Sequence, residues 1–437
     1  MNTKEIYGRT ISCECGKTHH IEPNEIIYST DALNRIPVVL ERYSRGSRVA
    51  VLMDSRTGTA AGEEAVKTLQ NAGKDVIEIN VPDPAEGKSP VCDDVTFHSL
   101  LDSLPEADII LPVGSGVIND LGKWIASERN LPWATFATAA SMNGYTSANV
   151  AVTVKGLKTL ERAHPPRAVL CDPRVLKDAP YELTASGLGD ILAKSASSAD
   201  WYMNHLLFGD YFCQRSVSLV ADLEPLYMDR PEGVRDREPG ALEALFHGLL
   251  LTGVAMTMAE TSSPASGGEH LVSHTLDMMS SLDGHPHDLH GRQVGVGTIL
   301  ASAVYSRVIE LESPEFRVPE GGVDPGFWGR LSGEISREYT GKRTRMEEAC
   351  RILSKGVAWD DLRESLAPLV RPPEKIRDVL KRAGAAYRAG DLGCDRGRLF
   401  EAFVHAHEMR SRFTILDLAG LAGILPQAAP EIIEEWG

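Results

Sequence analysis

The first 175 residues alternate short β-rich runs with helical stretches, and beyond about Pro180 that alternation stops. No other feature limits the fold as much. Strands separated by helices form parallel βαβ units, whereas continuous helical patterning forms bundles. Arg48–Met53 reads as a strand ended by Asp54–Gly58. A helix is expected over about Ala60–Ala72, with Val66, Leu69 and Ala72 on one face and Gly73 as its stop. Further strands are expected at Val76–Val81, Ala107–Val113 and about Pro132–Thr138, with a helix over Val117–Ser127 before the last. From Thr184 onward apolar residues recur at helical spacing, over Thr184–Tyr202, Leu242–Ala259, Gly268–Ser281, Gln293–Leu311 and Asp378–Ala386. The expectation is an α/β chain: an N-terminal doubly wound parallel-sheet domain over 1–175 and a C-terminal all-helical domain over 176–437.

Composition narrows the partners. Across 437 residues, 61 Asp and Glu oppose 45 Lys and Arg, a net charge of −16 with His neutral. Duplex nucleic acid and anionic membranes need clustered basic residues, so neither is expected as a main partner. Seven scattered cysteines are odd in number and too sparse for a disulfide framework, which points to reduced thiols and a cytoplasmic protein. Met1–His20 is polar, without the apolar core of a secretory signal. The longest apolar stretch, Gly248–Ala259, is shorter than the roughly 20 residues of a membrane span and reads as a buried core helix.

Two regions carry the chemistry. Gly114-Ser-Gly116 closes a strand and opens a helix, where backbone N–H groups and a helix N-terminus can hold a pyrophosphate without a lysine. The spacing is neither the six-residue dinucleotide fingerprint nor a Walker loop, so a simple tight turn stays open. Asp54, at the end of the first clear strand, is placed to accept hydrogen bonds from ribose hydroxyls, or is a solvated turn residue.

In the helical half, Ala185–Lys194, Ser266–Thr275 and His285–Gly291 bring Asp190, His270 with His274 four residues on, and the cluster His285, His287 and His290. One carboxylate and two imidazoles suit zinc, iron(II) or nickel, and three ligands leave the open positions a catalytic metal needs. Asp190 alone would be a favourable charge at a helix start, and the two spaced histidines alone need not be ligands. Cys13, Cys15, His19 and His20 are too cramped for the usual four-ligand zinc site and read as a small β turn. His405–Thr414 reads as a solvated or ion-paired face, with anion binding as the alternative.

In order along the chain, Gly-Ser-Gly-x-x-x-Asp, Thr-Ala-Ala-Ser-Met-Asn-Gly, Gly-x-Gly-Asp-x-x-Ala-Lys, Glu-His-x-x-Ser-His and His-Gly together resemble the sn-glycerol-1-phosphate dehydrogenase family. That family lies in the superfamily of metal-dependent alcohol dehydrogenases and dehydroquinate synthases, and the resemblance runs from about Asn34 to Leu311. It implies a dehydroquinate synthase-like architecture with an NAD-binding first domain and a metal- and substrate-binding helical domain. Metal ligands are implied at Asp190, His270 and His290, the last because the family ligand precedes Gly. Implied cofactor contacts are Asp54, Gly114, Gly116, Val117, Ile118, Asn119, Asp120, Thr138, Ser141 and Ser147. Asn143, Asp190 and His274 would face substrate, with Asp190 and His274 catalytic. The cofactor would be NAD, or alternatively NADP, with one divalent metal, zinc ahead of nickel or iron. The implied reaction is metal-assisted hydride transfer interconverting dihydroxyacetone phosphate and sn-glycerol 1-phosphate, in phospholipid biosynthesis, by a homodimer acting on a small phosphorylated substrate.

The chain departs from the family at Asn143, where Asp is common; an uncharged amide both donates and accepts, so a different polyol or phosphorylated ketone is the main rival substrate. A sugar-phosphate cyclase would carry Glu in place of Asp190, and a non-catalytic scaffold would not need the metal donors. Lys194, Arg292, Arg410 and Arg412 are the candidate grips for a substrate phosphate.

Overall fold

The computed structural model describes residues 6–85, 88–355 and 357–437. The polar N-terminal stretch therefore enters at Ile6, and Met1–Glu5 lie outside the described residues. Strands β1 (Thr10–Ser12) and β2 (Thr18–His20) form a small antiparallel hairpin. The main sheet has six strands: β3 (Glu25–Tyr28), β4 (Arg48–Met53), β5 (Asp75–Asn80), β6 (Ile109–Gly114), β7 (Thr135–Ala137) and β10 (Ala168–Cys171). They run in the order β3-β10-β7-β6-β4-β5, every pair parallel. A second hairpin, β8 (Asn149–Val154) and β9 (Leu157–Arg162), lies outside that sheet.

The sheet is doubly wound because its side chains alternate between two cores. Val49, Val51 and Met53 of β4 face one way, into a cluster with α1 (Ala32–Leu40) and α2 (Glu63–Asn71). Ala50 and Leu52 face the other, with Phe97 and Leu100 of α3 (Asp94–Ser103) and Leu121 and Ile125 of α4 (Gly116–Glu128). Burial of both faces explains why these strands read as unbroken apolar runs. The chain winds outward from β4 to β5, then returns through β6, β7 and β10. The switch point thus falls at the carboxyl ends of neighbouring β4 and β6, where sheets of this kind bind ligands.

The helices that follow include α5 (Tyr181–Leu192), α6 (Lys194–Phe208), α7 (Pro239–Ala259), α8 (Gly268–Asp283) and α9 (His290–Ile309). The parallel-sheet half followed by a helical half matches the expected architecture. The dividing line is less simple than a cut at residue 175. One unit comprises Met1–Gly187 and Arg215–Thr261, the other Leu188–Gln214 and Ser262–Gly437.

Helical patterning shows that Arg215–Thr261 is helical but not what it packs on, and α7 packs on the sheet-bearing unit. Thr146 Oγ1 donates to Leu250 O at 2.6 Å, and Thr257 Oγ1 donates to Thr146 O at 2.9 Å. By length and apolar content α7 could cross a membrane, yet it is buried along most of its length as a core helix.

Gly253 sits at that contact. A Cβ there would lie 2.2 Å from Thr146 Oγ1 and 2.5 Å from Asn143 O. Gly253→Ala gains about 0.5–1 kcal/mol of helix propensity, but overpacking costs about 1–3 kcal/mol. A lower midpoint in thermal unfolding is expected; an unchanged or higher one would show that the turn at 144–146 yields.

Candidate active site

At the switch point, Gly114 closes β6 and Gly116 begins α4. A Cβ on Gly114 would lie 2.6 Å from Ile118 Cβ, so this glycine is needed for the strand to run straight into its own helix. A Cβ on Gly116 would meet no heavy atom within 4 Å. The open space lies over the first turn of α4, whose N–H groups at 116–118 have no acceptor within the helix. The Asn119 N–H is already given to Ser115 O at 3.0 Å.

Asn119 and Asp120 are buried rather than presented, and Asn119 Nδ2 donates to Asp120 Oδ1 at 3.3 Å. Asp120 in turn pairs with Lys123 Nζ at 3.2 Å. Lys123 is fully buried and also donates to Gly144 O at 2.6 Å, Asn149 O at 3.0 Å and Ser147 Oγ at 3.2 Å. Sequence reasoning assigned it no role. The available signal was a lysine three residues after Asp120, between the apolar residues Leu121 and Trp124. Its effect is to clamp the turn at 144–149 onto α4. Ser147 belongs to this clamp, donating to Asn149 O at 2.8 Å and Gly144 O at 3.1 Å.

Thr138 follows β7 and is tied to β6 by its N–H to Gly114 O at 3.1 Å. Ser141 is buried nearby in sequence, its carbonyl accepting from Ser186 Oγ at 3.2 Å. Asn143 caps the short 3-10 turn Gly144–Thr146. Asp54 is not a solvated turn residue. It is buried and caps the turn after β4: Oδ1 accepts from Thr57 N–H at 2.8 Å, and Oδ2 from Arg56 Nη2 at 3.1 Å. Arg56 bridges onward to Asp83 at 2.5 Å, so a cation stands beside the expected ribose carboxylate.

In the helical unit, three helices converge on one point. Asp190 lies on α5, His270 on α8 and His290 at the start of α9. The space comes from missing side chains: a Cβ on Gly189 would lie 2.0 Å from Gly291 O, and one on Gly297 would lie 2.4 Å from Glu269 O. Glycines at these positions let three helix backbones touch, so short Asp and His side chains reach a common centre. One donor atom from each of Asp190, His270 and His290 lies within 4.8 Å of the others. Asp190 and His270 are buried, with His270 Nε2 3.5 Å from Asp190 Oδ1. Carboxylate and imidazole donors at this separation fit a borderline divalent metal.

His285 and His287 lie exposed in the preceding loop and do not join this set. His274 is buried, its ring 5.3 Å from that of His290 and nearly parallel to it. Asp277, which sequence reasoning passed over, forms a second close set with His274 and His290. Its place one turn after His274 was the readable clue. Burial opposes a charge on His270, but hydrogen bonds to Asp190 and Glu269 outweigh it and raise its pKa to about 9. Further in, burial and then the charge of Glu269 push Asp200 up to about 7.

The candidate phosphate grips are unequal. Arg292 is tied to Asp288 and to Asp391 O, and Arg412 to Ser262 Oγ and Ser266 O. Lys194 is buried at the start of α6. Burial lowers Arg410 to about 10, and its Nη2 has no hydrogen-bond partner among the described residues. His405 pairs with Glu408 at 2.7 Å, but Glu408 is buried, so the run His405–Thr414 turns inward and is not a solvated face. Cys13, Cys15 and His19 sit on the β1–β2 hairpin, with Cys15 Sγ 3.2 Å from His19 Nε2.

Because a metal must displace the proton on His270, apparent affinity for a divalent cation is expected to fall about tenfold per pH unit below about 9. Chelator-competition titrations across pH 6.5–9.5 measure this slope. A flat profile would remove His270 from the ligand set.

Known proteins share both halves. The model for iron-containing alcohol dehydrogenase matches residues 27–180. The chain is 31% identical over 368 residues to glycerol-1-phosphate dehydrogenase (NAD(P)+) of Bacillus velezensis, covering 84% of each chain. It is 27% identical to the enzyme of the same name from Thermococcus kodakarensis, over 94% of this chain and 96% of that one. Among solved structures, a probable glycerol dehydrogenase from Sinorhizobium meliloti shares the fold, with a TM-score of 0.61 at 16% identity over 94% of this chain and 98% of that one.

Proposed function

The chain belongs to the glycerol-1-phosphate dehydrogenase family of the iron-containing alcohol dehydrogenase superfamily, and from that premise we propose that it reduces dihydroxyacetone phosphate to sn-glycerol 1-phosphate. It is an NAD(P)-dependent oxidoreductase, and its family implies a divalent metal. The observation that carries the proposal is the convergence of Asp190, His270 and His290, with one donor atom from each within 4.8 Å of the others.

Asp190, His270 and His290 would hold the metal, with zinc the proposed ion. When bound, the metal supplies Lewis acidity to the substrate oxygen and the reduced nicotinamide supplies the hydride. Reduction of the C2 carbonyl adds one proton besides the hydride, so a residue of this chain has to hold that proton beside the substrate oxygen. His274 is the proposed proton holder, since it is buried against His290 and lies one helical turn from His270. The N–H groups of Gly116, Val117 and Ile118 would hold a pyrophosphate, and Thr138 and Ser141 would be further cofactor contacts.

Asn119, Asp120 and Ser147 act at one remove, by fixing the walls through Lys123. Asp54 and Arg56 together accommodate a ribose that is free or phosphorylated, in keeping with use of either cofactor. The protein is proposed to work in the cytoplasm as a homodimer on a small phosphorylated substrate, without nucleic acid or membrane insertion. Asn143 supports a second reading in which the same chemistry serves another polyol or phosphorylated ketone.

Steady-state NADH and NADPH oxidation with dihydroxyacetone phosphate, after metal reconstitution, tests the substrate. Turnover is expected with dihydroxyacetone phosphate and little with unphosphorylated dihydroxyacetone. Equal turnover with both, or none with either, would overturn the assignment. Asp190→Asn and His270→Ala are each expected to abolish turnover while circular dichroism stays that of the parent; activity retained in either would remove the metal reading.

A further inference from the structure

His270 has two ring nitrogens, and only one of them faces Asp190. The other, Nδ1, donates to Glu269 Oε1 at 2.9 Å. Glu269 is fully buried, and the same oxygen accepts the Gly267 N–H at 2.7 Å. Its second oxygen, Oε2, has no hydrogen-bond partner among the described residues. Leaving a carboxylate oxygen unsatisfied in the interior is costly, so the residue is held there against its own solvation.

Asp200 is what it is held against. Asp200 is buried and accepts from Tyr305 Oη at 2.5 Å, Gly268 N–H at 2.8 Å and Ile415 N–H at 2.8 Å. A Cβ on Gly267 would lie 2.4 Å from Asp200 Oδ2 and 2.9 Å from Glu269 Oε2. Two carboxylates therefore close on one glycine. The guanidinium of Arg412, fixed by Ser262 and Ser266, feels the charge of both. With Asp200 pinned by three donors and Arg412 by two acceptors, Glu269 has one well-satisfied direction for Oε1, towards His270.

We propose that Glu269 is the positioning residue of the metal centre: it fixes the proton of His270 on Nδ1, so that Nε2 is presented beside Asp190 as a ligand, and Gly267 with Asp200 keeps it in place. Carboxylates placed behind a ligating imidazole are a recurrent way to set its tautomer and strengthen its bond to the metal. The inference rests on the metal reading above. It adds two acidic residues that do not touch the metal but set how tightly it is held.

Metal affinity of the full-length protein tests this. The protein is stripped with chelator and titrated with Co(II) against a chromophoric competitor, with NADH binding and circular dichroism followed in parallel. Glu269→Ala is expected to weaken Co(II) binding about 10- to 100-fold and to change the visible Co(II) spectrum, with NADH affinity unchanged. Glu269→Gln keeps shape and an acceptor but loses the charge, and is expected to fall between parent and Glu269→Ala.

Gly267→Ala alters neither His270 nor Glu269 chemically, yet it should weaken binding in the same direction by pushing the carboxylates apart. Parent-like affinity and spectrum in Glu269→Ala, or in Glu269→Gln where the alanine variant does not fold, would overturn the proposal while leaving the metal reading intact. A parent protein that binds no Co(II) would instead overturn the reading on which the proposal rests.

Discussion

The helical unit depends on direct backbone contact between helices. Where α5 meets α9 and where α9 meets α8, a glycine stands at the crossing, and the nearest atom to its missing side chain is a carbonyl oxygen of the facing helix. Helices with ordinary side chains at the crossing keep their axes 8–10 Å apart. Removing the side chain on one partner brings the main chains together. That approach lets an aspartate and two histidines from three helices share one centre, because none of these side chains is long enough to bridge a wider gap. The Gly-x-Gly-Asp motif is thus a packing signal as much as a chemical one: Gly189 makes the distance and Asp190 beside it supplies the donor.

Much of this was legible in advance. Strands β4 and β6 announced themselves as apolar runs, β5 by the β-branched Val76, Ile77 and Ile79, and β7 was placed to within a few residues. The candidate metal donors stood out because a carboxylate and several imidazoles cluster in three short segments, a donor set that divalent metals accept. Other parts carried weaker signals. Strands β3 and β10 are only four residues each and were not singled out, although they supply one edge of the sheet and its neighbour. The β8–β9 hairpin carried a readable cue in its alternating Val and Thr and its Lys155-Gly156 turn, where both residues have positive φ. The placement of α7 was not legible, because a helix that is apolar all round must be buried but does not say against what. Lys123 and Glu269 escaped notice for a related reason. Charged residues are assigned to the surface by default, and only the surrounding atoms show that they are enclosed.

Those enclosed charges also reconcile an acidic chain with anionic ligands. The excess of negative charge is a property of the whole surface and says little about a few ångströms of interior. Locally, the first turn of α4 presents N–H groups with no competing carboxylate in the open space above Gly116, since Asp120 is turned inward onto Lys123. In the helical unit the opposite holds. Asp190, Glu269 and Asp200 concentrate negative charge where a cation is expected, and Arg412 offsets only part of it. Each unit carries the local sign that its proposed ligand would require.

The clamp made by Lys123 bears on how a family of this kind can diverge. The turn at 144–149 is fastened by Lys123 to two of its carbonyls, by Thr257 of α7 to Thr146 O, and by Thr146 Oγ1 to Leu250 O. A scaffold anchored in this way is a rigid mount: the backbone that carries residue 143 is held by groups on other residues, Lys123 and Thr257. With Asn143 facing substrate as proposed, an exchange there between acid and amide would act on a turn whose position is set elsewhere.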